Sequence, residues 1–135
     1  MPVFYFDSSA IVKLIVDEAE TDALAALSDE GGLWMTSDLA RVEVQRAIAR
    51  RQPQALDAAR RQLRGLALMT LTGDTYDLAG RLQPAFLRSL DAIHVAAALS
   101  LGAGLTALVT YDQRLAVAAA TNGLTVLSPG ASIPG

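Results

Sequence analysis

The stretch that decides the fold is Val3 to Leu14, VFYFDSSAIVKL. Four apolar residues run straight into Asp7, two hydroxyl residues follow, and apolar positions then resume at helical spacing. An unbroken run of β-branched and aromatic residues reads as a strand buried on both faces, as in a parallel sheet covered by helices. Asp7 then stands at a strand's carboxyl end, where open α/β sheets bind their ligands. A second reading makes Asp7 the first residue of a helix, with Asp7, Ser8 or Ser9 as the N-cap.

The chain outward from there repeats the alternation of strand and helix. Helix is expected from Ser8 to Val16. A second helix follows a cluster of acids, Asp17, Glu18, Glu20 and Asp22, which reads as a solvated helix start favoured by the dipole. Leu33 to Thr36 is a strand, and Ser37 or Asp38 caps the helix LARVEVQRAIARR, Leu39 to Arg51. Its packed side is read as Leu39, Val42, Ala47 and Ile48, widened by Val44. Glu43 lies on or near that stripe, where a carboxylate needs a partner or a cation; alternatively it pairs with Arg46 in solvent. Pro53 opens a helix to Gly65, strands are expected at Ala67–Leu71, Leu105–Val109 and Leu124–Leu127, and helices at Thr75–Leu82, from Ser89 and at Gln113–Ala120. Asn122 and Gly123 carry a left-handed C-cap signal. Such alternation predicts a mainly parallel sheet with helices on both sides.

A chain of 135 residues makes one domain with a real core, here residues 1–128, with 129–135 as a tail. Apolar residues are 52% and aromatic ones 5%, so the core is mostly aliphatic. With no cysteine and one histidine, thiolate and most zinc sites are excluded, and any metal is held by oxygen. The amino terminus has no signal-peptide pattern. The uncharged stretch Ala92 to Val109 is broken by Gly102, Ala103 and Gly104 and reads as helix, turn and strand, so a cytoplasmic, non-membrane protein is expected. Net charge is −3, yet seven of eleven basic residues fall between Arg41 and Arg64, among them Arg46, Arg50 and Arg51. That arginine-rich helical hairpin is either a nucleic-acid-facing surface or a solubilising or contact face.

Asp112 follows Thr110 and Tyr111 at the end of a strand, repeating the arrangement around Asp7. Asp91 falls in the first turn of its helix, with His94 three residues on and nearly on the same face. His94 reads as a packed or hydrogen-bonded residue supporting the site rather than as a ligand. With Glu43 leaning from its helix, four carboxylates share one hollow and repel one another unless a divalent cation intervenes. Oxygen-only ligation suits Mg²⁺, with Mn²⁺ as a substitute. The chemistry that most often needs such a cluster is phosphodiester hydrolysis by an ion-activated water, with a second ion stabilising the leaving oxygen. Ser9 and Thr110 are placed to orient carboxylates or water as hydroxyl donors.

The motifs FDSSAIVKL, DLARVEVQRA, LRSLDAIHVAAAL and LVTYDQRL, in this order over nearly the whole chain, resemble those of the PIN-domain ribonucleases, and closely those of VapC-type toxins. The resemblance implies that Asp7, Glu43, Asp91 and Asp112 form an acidic metal-binding quartet, with Ser9 and Thr110 at small polar positions beside the outer two. It implies a five-stranded sheet in the order 3-2-1-4-5. It also implies Mg²⁺-dependent endoribonuclease action on structured RNA, a homodimer, and a cognate VapB-type antitoxin that places a basic side chain among the acids. Two other classes share parts of this pattern: a PIN-fold binding module without catalysis, and a phosphoacceptor regulatory domain. The second wants an acceptor aspartate after the third strand and a lysine opposite. Here Thr72 and Gly73 follow Leu71, and Lys13 is the only lysine.

Overall fold

In a computed structural model that describes residues 1–131, five parallel strands form one sheet in the order β3-β2-β1-β4-β5. The strands are β1 (Val3–Phe6), β2 (Leu33–Ser37), β3 (Ala67–Met69), β4 (Ala107–Val109) and β5 (Val126–Leu127). The helices are α1 (Ser8–Ile15), α2 (Thr21–Ala25), α3 (Leu39–Arg51), α4 (Leu56–Arg64), α5 (Gly73–Gly80), α6 (Ser89–Ser100) and α7 (Gln113–Thr121). The expected order and the parallel sheet are both present.

β1 is the middle strand, and its alternating side chains divide the core. Phe4 and Phe6 point into a cluster with Ala10, Ile11, Val44, Ile48 and Leu63 from α1, α3 and α4. Tyr5 points the other way, among Val95, Ala98, Leu108 and Leu115, with α6 and α7. Phe4, Tyr5 and Phe6 are fully buried, which is why no polar residue interrupts this strand. β4 begins two residues later than expected from the sequence, and the outer strands β3 and β5 are also shorter. Edge strands lack one neighbour, and short ones limit unwanted pairing.

Helix α3 corrects the expected packed face. Ala40, Val44 and Ile48 are fully buried at i, i+4 and i+8, while Val42 is 58% exposed. Ala40 belongs to the contact because its small side chain lets α3 approach its neighbours closely. A thirteen-residue helix with aliphatics all around leaves the choice of face to packing rather than to composition. Neither expected cap of α3 operates, since Asp38 makes no capping bond and Ser37 Oγ is a buried oxygen with no partner among the described residues.

Of the acids expected as a solvated helix start, Asp17 and Asp22 are exposed and Asp22 lies in the first turn of α2, but Glu18 and Glu20 are paired instead. Lys13 donates to both Glu18 and Glu20, and Arg51 donates to the other oxygen of Glu18 at 2.6 Å. The Lys13 ammonium also sits 4.9 Å from the centre of the Tyr111 ring, whose hydroxyl donates to the Pro129 carbonyl at 2.7 Å. This clasp joins α1, α3 and the loop after β4 to the segment beyond β5. Residues 129–131 of the expected tail are held there in a turn, and 132–135 lie outside the described residues. Two glycines meet real steric demands. A Cβ on Gly32 would come within 2.2 Å of the Pro2 carbonyl oxygen, and Gly123, at φ +89°, closes α7 as the sequence predicts.

The corrected face of α3 is testable by paired truncations. Ile48→Ala should destabilise by about 2–5 kcal/mol, and Val42→Ala should change stability by no more than about 0.5 kcal/mol. Urea unfolding midpoints at constant slope would distinguish them.

Candidate active site

Asp7 leaves β1 with extended backbone and caps α1, its Oδ1 accepting from the Ala10 amide at 3.0 Å. Both readings of this residue hold together: it is the helix cap and it stands at the carboxyl edge of the sheet. The pairing of Phe6 with Val109 sets Thr110 beside it. Thr110 Oγ1 donates to Asp7 Oδ2 at 2.5 Å, and Ser9 Oγ donates to Oδ1 at 2.7 Å. Each hydroxyl also accepts from the next loop, Ser9 Oγ from the Tyr111 amide at 2.9 Å and Thr110 Oγ1 from the Asp112 amide at 3.0 Å. Ser9 and Thr110 thus orient Asp7 and tie the ends of β1 and β4 together, as expected.

Asp112 repeats the arrangement. Its Oδ1 accepts from the Arg114 and Leu115 amides at 2.9 and 3.2 Å and caps α7, leaving Oδ2 without a bond among the described residues. Asp91 sits in the first turn of α6, half-buried, and nothing among the described residues donates to it. Burial raises its pKa first, and the charges of Asp112, Asp7 and Glu43 raise it further against the opposing pull of His94. Four carboxylates from four elements therefore act on one another at the sheet edge. Burial likewise lifts Asp7 above the ordinary carboxylate range, although His94, Thr110, Ala10 and Ser9 all favour its charged form.

Glu43 faces a different partner. Its Oε1 accepts from Ser8 Oγ at 2.7 Å and from His94 Nε2 at 2.6 Å, while the Tyr5 hydroxyl meets His94 Nδ1 at 2.8 Å. The solvent pair with Arg46 does not form. Burial would raise Glu43, but the His94 hydrogen bond and charge, with the Ser8 bond, outweigh it and the pKa is lowered. His94 is buried, which by itself lowers an imidazole. The Glu43 bond and the charges of Asp7, Glu43 and Asp91 prevail, and its pKa rises.

Among the described residues no three His, Asp or Glu side chains stand as a ready-made metal group. The donor chemistry nevertheless fits a hard divalent cation. Asp7, Asp91 and Asp112 supply oxygen, and none of the three is in an ion pair among the described residues. Glu43 has one oxygen engaged and the other bare of protein donors.

Arg46 and Arg50 line a hollow with Ser8, Ser9, Val12 and Glu43, whereas Arg51 turns away to Glu18. A second hollow on the far side of Asp91 is lined by Arg88, Arg114 and the 87% exposed Phe86. Sequence reasoning overlooked these two arginines because they lie far from the basic hairpin. It also overlooked Ser8 and Tyr5. The signal for Ser8 was its adjacency to Ser9: consecutive residues at a helix start diverge by about 100°, so one serine serves Asp7 and the other Glu43. Tyr5 carried a signal in being the one polar-tipped residue of a buried strand.

Comparison with known proteins gives a match to the PIN domain family model over residues 4–120. Ribonuclease VapC46 of Mycobacterium tuberculosis is 46% identical over 129 residues, covering 96% of this chain and 99% of that protein. Ribonuclease VapC35 of the same organism is 45% identical over 132 residues, covering 95% and 98%. Among solved structures, M. tuberculosis VapC20, described as a sarcin-ricin loop cleaving toxin, superposes with a TM-score of 0.71 at 18% identity, covering 90% of this chain and 96% of that one. A toxin-antitoxin complex from Klebsiella pneumoniae gives 0.70 at 20% identity, covering 93% and 96%. At that identity the two structures show a shared fold.

The electrostatics set the sign of a stability test. Asp7, Asp91 and His94 all have raised folded-state pKa values, so each binds protons more tightly folded than unfolded. Their contribution is full below the unfolded values, about 3.9 for Asp and 6.5 for His. It is lost as pH rises through each folded value. Metal-free Asp91→Asn should therefore keep or gain thermal stability, by roughly 1–4 °C, and should weaken the loss of stability that sets in as pH rises above about 3.9. Calorimetry in EDTA would measure both.

Proposed function

The chain belongs to the PIN-domain family, and from that membership and its acidic hollow we propose that it is an endoribonuclease, the toxin of a toxin-antitoxin pair, dependent on Mg²⁺. The observation that carries the reading is the PIN match over residues 4–120 in a chain about 45% identical to named ribonucleases over nearly its whole length, supported by Asp7 and Asp112 following the paired strands β1 and β4. Asp7, Asp91 and Asp112 would hold the ion, with Glu43 as the fourth acid. When bound, the ion would offset their charge and lower the pKa of water for attack on a phosphodiester, with Mn²⁺ able to replace Mg²⁺.

The chain's own residues have separate tasks in this reading. Ser9 and Thr110 hold Asp7 in one orientation, so an ion meets a carboxylate that has little freedom left to lose. The Ala10, Arg114 and Leu115 amides do the same for Asp7 and Asp112 through the caps. Arg46 and Arg50 bind phosphates of structured RNA, of the transfer or ribosomal kind, along the hollow beside Ser8 and Ser9. Arg51, held by Glu18, contributes to the clasp instead. A VapB-type antitoxin is the expected partner, as the likeness to a toxin-antitoxin complex supports. A homodimer in the cytoplasm completes the reading; among the described residues no helix is long and apolar enough to cross a membrane.

Single-turnover incubation with total RNA and mapping of the new ends tests the assignment. Discrete cuts should appear with Mg²⁺ or Mn²⁺ and vanish in EDTA. Asp91→Asn and Asp112→Asn should each lower the rate more than about 100-fold, beyond the usual cost of outer-shell changes at metal sites. Mn²⁺ binding and intact folding without any cleavage would instead favour a binding module. A second measurement concerns the basic groove. Charge reversal of Arg46 and Arg50 together should weaken RNA binding and flatten its dependence on log salt by roughly one to two units, since each phosphate contact releases about 0.7–0.9 counterions.

A further inference from the structure

Resting on the metal-dependent reading above, we propose that His94, seated on Tyr5, is a positioning residue that fixes Glu43 with one carboxylate oxygen held and the other presented to the cation site. The geometry is a continuous line from the core to the hollow. Tyr5 is fully buried in β1, and its hydroxyl lies 2.8 Å from His94 Nδ1. His94 is buried in α6, and its Nε2 lies 2.6 Å from Glu43 Oε1. Ser8 Oγ donates to the same oxygen at 2.7 Å. Two donors, from α1 and α6, therefore meet at Oε1, and Oε2 is bare of protein donors.

The donor that His94 offers to Glu43 does not depend on the charge of the imidazole, although the Tyr5 bond reverses with it. When His94 is neutral, Tyr5 donates to Nδ1 and the proton sits on Nε2, facing Glu43. When it is charged, Nε2–H still donates to Glu43 and Nδ1–H donates to the Tyr5 oxygen. The Tyr5 proton then needs another acceptor. Ser37 Oγ, the buried oxygen without a partner among the described residues, lies beside Tyr5 and can serve. In both states Glu43 receives a donor at Oε1. The line also accounts for a histidine three residues after Asp91 that does not join the acid hollow as a ligand. Its role is to stop a glutamate on a neighbouring helix from swinging into solvent, where a flexible side chain would lose rotamer freedom on binding an ion.

Mn²⁺ affinity, read from the electron paramagnetic resonance signal of the free ion, tests this apart from activity. His94→Leu should weaken Mn²⁺ binding at least about tenfold, the usual range for losing an outer-shell partner. His94→Gln, whose amide N–H can replace Nε2–H, should recover most of the affinity. In a Glu43→Gln background, His94→Leu should add less than about twofold, because the two changes act on one interaction. If His94→Leu fails to fold, as melting in EDTA would show, Tyr5→Phe alone and with Glu43→Gln provides the same comparison. Mn²⁺ affinity unchanged in the His94 variant, or reduced equally with and without Glu43, overturns the inference while leaving the nuclease reading intact. A parent protein that binds no Mn²⁺ overturns both.

Discussion

A carboxylate carried to the buried edge of a parallel sheet has to be satisfied from several directions at once, and Asp7 is that carboxylate. It is 2% exposed, and its oxygens take bonds from Ala10, Ser9 and Thr110. Those donors come from α1 and from the end of β4, so the acid acts as a joint between the first strand and one far along the chain. Truncating it to an apolar residue would leave the Thr110 hydroxyl buried without its acceptor, a penalty of about 1–3 kcal/mol. Around this joint the other acids acquire their places. Asp112 follows because Thr110 is pinned, and Asp91 follows because α6 packs behind Tyr5.

The arrangement separates acids paired with lysine or arginine from acids left without such a partner. Glu18 and Glu20 are neutralised by Lys13 and Arg51, and Asp57 by Arg60. The four acids of the hollow have no lysine or arginine partner among the described residues, and Asp91 has no hydrogen-bond donor there either. Such crowding lowers the stability of the metal-free chain, and active sites commonly carry that kind of local cost. Nearby arginines line the two hollows without pairing with the carboxylates.

Much of this was legible in local sequence. An apolar run ended by an acid and hydroxyls, met twice, marked two strand ends at one edge of a parallel sheet, because side-chain periodicity and helix-start chemistry are local properties. The four spaced motifs made the strand order and the acidic quartet readable by resemblance. Less legible were features of two kinds. Val42 and Val44 are chemically alike, so the packed face of α3 followed from which neighbours approached it. Glu18 and Glu20 near α2 looked solvated because their partners, Lys13 and Arg51, arrive from other helices.

What the sequence determined alone was therefore the alternation of elements, the oxygen-only character of any metal site with no cysteine and one histidine, and the positions of the acids at strand and helix starts. Tertiary structure decided how those acids are held. Thr110 reaches Asp7 across 103 residues of chain, His94 reaches Glu43 across 51, and Tyr5 reaches His94 across 89. A hydrogen bond acts over about 3 Å. Only the pairing of β1 with β4 and the packing of α1, α3 and α6 around the central strand bring residues so distant in sequence within that range.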